Sequence, residues 1–281
     1  MIPQNLNAPV EIYPINAGCF RLDGGAMFGV VPRVLWQRQY PPDDQNRIAQ
    51  ALRILLIIDG DRNILADVGA GNWHEAKFVK NYCLQNSDFD FDSTLASYHL
   101  TTQDITDVIL THLHFDHAGG WVSKKNSELV PTFANARTWV QKEQLTWAKK
   151  PSPKDRAGFM DAYLKPLAKC PRLELLEGKK QITDNVSVSP VHGHTPAMQT
   201  VMVQTPTGKH FFPTDLVPIA AHLHLPYIMA YDNNPLITVE EKQKILTQAC
   251  CEKWTLYFCH DPYIEKGRVI LENGKFALEP G

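Results

Sequence analysis

The chain has 281 residues, with 28 Lys and Arg against 30 Asp and Glu and a formal net charge of −2. Hydrophobic residues make up 44% and charged residues 21%, which is enough apolar surface for a core and too balanced a charge for disorder, a nucleic-acid coat or a polybasic membrane binder. That length is near the upper limit for one hydrophobic core, so a single domain over 1–281 is the expected organisation and two small domains the alternative.

In chain order, Met1-Ile2-Pro3-Gln4-Asn5 has neither a basic start nor an apolar run and predicts no secretory signal. The longest apolar run, 54–58, is too short to span a bilayer. Segments 53–58 and 63–68 flank Asp59-Gly60-Asp61-Arg62, a hairpin pattern, and Gly69-Ala70-Gly71 ends the second strand. Ser93 is the expected N-cap of a short helix through Ser97 and His99. Segment 107–111 reads as a buried strand that runs directly into His112. A helical insertion follows at about 141–170, interrupted at Pro151-Ser152-Pro153.

Strands return at 186–190, 200–204 and 210–212. A capping box, Thr238-x-x-Glu241, is expected to open a helix through about Cys250. A strand over 255–259 ends at His260, and a last hairpin turns at Asn273-Gly274. Two β-rich halves, each with helices, fit an α/β (α+β) architecture of sheets packed face to face with helices outside. Cys19, Cys83, Cys170, Cys250, Cys251 and Cys259 form no CxxC pair, so reduced thiols and a cytoplasmic location are expected.

The chemistry concentrates in His112-Leu113-His114-Phe115-Asp116-His117-Ala118-Gly119-Gly120. In an extended segment, side chains two apart point the same way, so His112 and His114 can face one metal. A turn after Phe115 lets Asp116 and His117 face a second. Neutral imidazoles with a carboxylate suit zinc or another borderline divalent ion, and a chance surface cluster is the competing explanation. More polar candidates stand at strand ends in the second half: His192-Gly193-His194-Thr195-Pro196, Pro213-Thr214-Asp215 and Cys259-His260-Asp261-Pro262. Each alone is as easily a turn residue or a satisfied hydrogen-bonding group.

Taken in order, HxHxDH, then GHT, then an Asp after a strand, then HDP after a late strand, the chain resembles the metallo-β-lactamase superfamily, from 65–69 to His260. The resemblance implies a four-layer αββα sandwich with two divalent metal ions at one edge, zinc first and manganese or iron as alternatives. It implies that His112, His114 and His194 bind one metal, that Asp116, His117 and His260 bind the other, and that Asp215 bridges them. Zinc β-lactamases of the best-known subclass have Cys where Asp215 stands and lack His117. Oxygen-reducing diiron members have Glu where His114 stands. Hydroxyacylglutathione hydrolases continue into a helical region, whereas only a hairpin follows His260 here. The overall pattern is most similar to the branch of N-acyl-homoserine lactonases and methyl parathion hydrolase.

That resemblance implies a hydrolase in which a metal-bridging hydroxide attacks a small ester or lactone, with Asp116 and Asp215 as its catalytic carboxylates and Asp116 passing a proton to the leaving group. Phosphotriester or phosphodiester hydrolysis on the same metals, a mononuclear iron sulfur dioxygenase and a metal-retaining binding protein are the alternatives. A small-molecule substrate is expected, without nucleic acid or membrane, and a homodimer by analogy. Asp67 either orients a ligand His or caps the Gly69-Ala70-Gly71 turn. His192 is left outside the metal set, and His222 and His224 are expected first as loop residues and second as substrate contacts. Loop 26–31 is a candidate substrate wall. Trp147, Phe159 and Tyr163 are expected first to pack helices on the sandwich and second to join that wall.

Overall fold

A computed structural model describes residues 9–279, so the Met1-Ile2-Pro3-Gln4-Asn5 segment lies outside the described residues. The apolar run at 54–58 belongs to a long strand in which Ile54 and Leu56 face one core cluster while Leu55 and Ile57 face another. A strand covered on both faces must be apolar at successive positions, and this is the physical reason for the unbroken run.

The strands are β1 (Glu11–Asp23), β2 (Arg47–Asp59), β3 (Arg62–Ala66), β4 (Asp107–Ile109), the small hairpin β5 (Val122–Lys125) and β6 (Glu128–Pro131), β7 (Arg137–Gln141) and β8 (Leu173–Leu176). The second half adds β9 (Lys180–Gln181), β10 (Val186–Val191), β11 (Met198–Thr205), β12 (Gly208–Phe212), β13 (Thr255–Tyr257), β14 (Lys266–Glu272) and β15 (Lys275–Leu278). Helices α1 (Gly24–Phe28) and α2 (Arg33–Trp36) follow β1. Then α3 (Ala76–Tyr82) and α4 (Phe91–Ala96) precede β4, α5 (Phe115–Ala118) follows it, and α6 (Lys142–Lys149) and α7 (Asp161–Leu167) lie between β7 and β8. The last helix, α8 (Pro235–Cys251), precedes β13.

One sheet runs β1-β2-β3-β4-β7-β8 and the other β15-β14-β13-β12-β11-β10-β9. Between them, Leu55, Ile57, Ile64 and Ile109 of the first sheet pack on Val186, Val201, Val203 and Phe212 of the second. The outer face of the first sheet buries Leu95 of α4, Leu145 of α6 and Leu164 and Leu167 of α7. The outer face of the second buries Leu246 and Ala249 of α8 against Phe211 and Leu256. These are the four layers of an αββα sandwich. Among the described residues no helix is long and apolar enough to cross a membrane.

Three local expectations are corrected. Asp90, not Ser93, caps α4, its side chain accepting from Ser93 N at 2.7 Å. The last long helix starts at Pro235, whose missing N–H suits a first turn, and Glu241 instead accepts from His192 N and Gly193 N at 2.8 and 3.0 Å. The strand expected over 107–111 ends at Ile109, because Thr111 N donates to the Asp67 carboxylate rather than to a neighbouring strand.

The parallel strands β3 and β4 end side by side, as do the parallel β12 and β13. Asp67 and the HxHxDH segment follow the first pair, while Asp215 and His260 follow the second. The two glycines that close the motif allow this segment to dock. A Cβ on Gly119 would lie 2.1 Å from Ala70 O, and one on Gly120 2.0 Å from Val68 O. Only glycine fits there, and the approach is sealed by Val68 N donating to His117 O and Gly120 N to Gly69 O, both at 2.9 Å.

Candidate metal centre

The structure brings His112, His114, His194 and Asp215 into one set whose ligand atoms all lie within 4.8 Å of one another, and Asp116, His117 and His260 into a second. All are buried. Asp215 also forms a third set with Cys259 and His260, so it faces both groups. Its Oδ2 lies 3.2 Å from His194 Nε2 and 3.7 Å from His112 Nε2, while its Oδ1 lies 3.3 Å from His117 Nε2 and 3.1 Å from His260 Nε2. The backbone pays for this aim: Thr214, a β-branched residue, sits at φ 50° immediately before it.

Each imidazole is held by its far nitrogen. His117 Nδ1 is 2.8 Å from Asp67 Oδ2, His260 Nδ1 2.8 Å from Ala51 O, and His194 Nδ1 2.9 Å from Asp232 Oδ1. His114 is turned the other way, its Nε2 2.8 Å from Asp155 Oδ1. His112 Nδ1 meets Thr111 Oγ1 at 3.2 Å, and that hydroxyl donates on to Asp67 Oδ2 at 2.8 Å. Asp67 therefore orients one histidine of each set, in addition to standing at φ 60° before the Gly69-Ala70-Gly71 turn.

Acceptors on the outside place the ring protons there, so the inward nitrogens carry lone pairs. Those lone pairs face one another. His117 Nε2 and His260 Nε2 are 3.1 Å apart, as are His194 Nε2 and His114 Nδ1, and His112 Nε2 is buried with no hydrogen-bond partner. Only a proton or a cation relieves such an arrangement. The donor set, imidazole nitrogens with two carboxylates, fits a borderline divalent ion at each position.

The carboxylates and imidazoles of the cluster shift one another's proton affinities. Burial lowers the affinity of His117 for a proton, but Asp215, Asp116 and Asp67 outweigh it and hold the ring well above an ordinary imidazole. Burial likewise opposes ionisation of Asp215, yet His117, His260 and His194 hold its carboxyl well below the usual range. His112, buried and beside other imidazoles, is pushed well down.

Several residues at the site carry no spacing signal in the sequence. Asp155, in the turn after α6, holds His114 and accepts from Trp147 Nε1 at 2.7 Å and Thr195 Oγ1 at 3.2 Å. Burial pushes the Asp155 carboxyl up, but His114 outweighs it and draws it down. Asp232 resembles an ordinary turn residue ahead of Asn233-Asn234-Pro235. Cys259 Sγ lies 3.3 Å from Asp215 Oδ1, and burial, then the neighbouring Asp215, pushes its thiol well up.

The metal cluster opens into a cavity of about 140 Å³. Its lining combines Leu22, Met27, Phe115 and Met229 with His114, Asp116, His194, Asp215 and His260, and two phenols, Tyr82 and Tyr231. From loop 26–31 only Met27 lines the cavity; Phe28 is buried behind it in the cluster that Met27 shares with Trp36 and Tyr40. Trp147, Phe159 and Tyr163 do not line it. Tyr163 is buried with its hydroxyl donating to Leu113 O at 2.8 Å, and Phe159 packs on His114 with ring centroids 4.8 Å apart and planes tilted by 54°, so they support the histidine from behind. His192 stays outside both sets, its Nδ1 accepting from Ala197 N.

His222 is a core residue. Its ring stacks on Phe28 at 5.4 Å with Nε2 2.8 Å from Met27 O, and burial, reinforced by Lys242, lowers it to about 3. A depressed imidazole contributes stability above the unfolded value of about 6.5 that is lost as pH falls towards 3. We expect His222→Gln, which keeps an amide donor for Met27 O and does not titrate, to gain about 2–3 kcal/mol relative to the parent between pH 7 and pH 4.5. Urea unfolding at the two pH values checks this, and equal pH dependence in both proteins would contradict it.

The class is set first by the sandwich and by paired His/Asp sets at its sheet ends: an αββα protein with a metal-ligating centre. Residues 53–260 match the model of the Metallo-beta-lactamase superfamily, and the chain belongs to that superfamily. No curated protein sequence matches it. Among solved structures it is similar to a probable metal-dependent hydrolase from Staphylococcus aureus, at 26% identity and TM-score 0.87, over 97% of this chain and 98% of that one. It also resembles AidC, a dizinc quorum-quenching lactonase in complex with a product, at 20% identity and TM-score 0.78, over 97% and 94% of the two chains. An N-acyl homoserine lactone hydrolase with N-hexanoyl-L-homoserine bound at its catalytic metal centre follows at 20% identity and TM-score 0.70, over 89% and 93%. At 20% identity these last two share the fold.

Proposed function

We propose that the protein is a metal-dependent hydrolase that holds two divalent ions, one in each His/Asp set, and cleaves a small ester or lactone. The observation that carries this is the division of Asp215, whose two oxygens face different histidine sets with inward lone pairs. In this reading His112, His114 and His194 hold one ion, Asp116, His117 and His260 the other, and Asp215 touches both. Bound there, the ions would supply Lewis acidity and a water nucleophile at neutral pH.

The residues do the rest. The carboxylates of Asp67, Asp155 and Asp232 keep the imidazole tautomers fixed. The apolar wall of Leu22, Met27, Phe115 and Met229 suits an uncharged acyl group and excludes water around it. Lys154, the one lysine in the lining, spends its ammonium on Tyr231 O and Asp232 O, so no free cation awaits a phosphodiester. The lactonases among the similar structures support the same class.

The test is a panel of p-nitrophenyl esters, lactones, phosphotriesters and phosphodiesters with metal-replete protein, alongside elemental analysis. We expect ester or lactone turnover, its loss on chelation, its return with zinc, manganese or iron, and two ions per chain. Turnover of phosphoesters alone would reassign the substrate, a single iron would favour the dioxygenase, and no turnover on any would favour a binding protein.

A further inference from the structure

Two segments far apart in sequence form one wall of the cavity, and one side chain joins them. The turn after α6 contributes Lys154, Asp155, Ala157 and Gly158, and the segment before α8 contributes Met229 and Tyr231. Lys154 Nζ donates to Tyr231 O at 2.7 Å and to Asp232 O at 2.9 Å. Among the described residues no other hydrogen bond joins 151–160 to 225–234.

Both ends of this link are anchored. On one side, Asp155 N and Arg156 N donate to Ser152 O at 3.1 and 3.0 Å, which fixes the turn, and Asp155 holds His114. On the other, Asp232 holds His194 and accepts from Met229 N at 3.2 Å. The lysine thus links two loops that are each tied to the metal centre and that, among the described residues, share no other hydrogen bond. An ammonium with several donors and a flexible stem suits two carbonyl acceptors on another loop.

We propose that Lys154 is a specificity-determining latch: by joining the two loops in one cavity wall it limits the size of the acyl group admitted. The substrate part of this inference rests on the ester or lactone reading above; the latch itself does not.

The test compares Lys154→Met, which keeps the apolar stem and loses the donors, with Lys154→Arg, which keeps donors. With p-nitrophenyl acetate, butyrate and octanoate, K154M should raise the octanoate-to-acetate ratio of kcat/KM about tenfold, with metal content unchanged, and K154R should return it towards the parent value. Amide hydrogen exchange over 151–160 and 225–234 should quicken about tenfold in K154M, in metal-loaded and chelated protein alike, and not in K154R. An unchanged chain-length ratio in K154M overturns the role in specificity, and unchanged exchange overturns the latch. If the parent protein cleaves no ester or lactone, the hydrolase reading falls, and the exchange measurement still decides the latch.

Discussion

Asp215→Ala is expected to remove both metals at once and to lower kcat/KM about a thousandfold or more. The two oxygens of Asp215 face different sets: Oδ2 lies 3.2 Å from His194 Nε2, and Oδ1 lies 3.1 Å from His260 Nε2. Losing His112 alone should empty only the set to which it belongs. The loss should not come from unfolding. Asp215→Asn retains the side-chain volume but puts an NH2 in place of one of the two oxygens that face the histidine sets, so it should lose metal on at least one side while keeping the parent circular dichroism and a cooperative melt. Elemental analysis of D215A, D215N and H112A, read beside their kinetics, separates a shared ligand from a single-sided one. Full metal content with full turnover in D215A would end the dinuclear proposal.

That Asp215 could be picked out in the sequence at all depends on where strands stop. His112, Asp215 and His260 each stand directly beyond a β-type run, and parallel pairing of β3 with β4 and of β12 with β13 turns that linear position into a shared edge. Apolar runs bounded by turn residues make the strands legible, and the structure adds that the run at 54–58 is covered on both faces. The supporting carboxylates were harder. Asp67 could be suspected from its strand end, but Asp155 and Asp232 lie in turns rich in proline and asparagine, where an acidic residue is ordinary. What singles them out is a 2.8 or 2.9 Å contact with an imidazole brought in from another part of the chain. Long-range contacts of that kind leave no periodic trace.

The same effect explains the misplaced caps. Ser93 and Thr238 are good capping residues by type, but the local competition went to Asp90, whose carboxylate reaches Ser93 N, and to Pro235, which starts α8. Glu241 was free to serve the His192-Gly193 backbone instead, which presses the His194 segment onto α8. A Cβ on Gly193 would lie 2.3 Å from Thr238 Oγ1, so this approach is as close as the chain permits.

Asp116→Asn should lower kcat about 10²–10⁴-fold with KM little changed and metal retained. Asp116 Oδ2 lies 3.4 Å from His260 Nε2 and 3.8 Å from His117 Nε2, but no protein donor satisfies its carboxylate by hydrogen bonding among the described residues, and it lines the cavity. Asp215, by contrast, has both oxygens engaged by histidines. Of the two carboxylates, Asp116 is therefore the one able to take a proton and return it to a departing oxygen. An asparagine keeps an oxygen for the second set and cannot carry that proton. The dependence on leaving group tests the role directly. An alkoxide or an opened lactone needs a proton as it departs, whereas p-nitrophenolate does not. D116N should therefore lose most of its activity on alkyl esters and lactones and far less on p-nitrophenyl esters. An equal loss on both, with metal content intact, would mean that Asp116 acts only in holding the centre together.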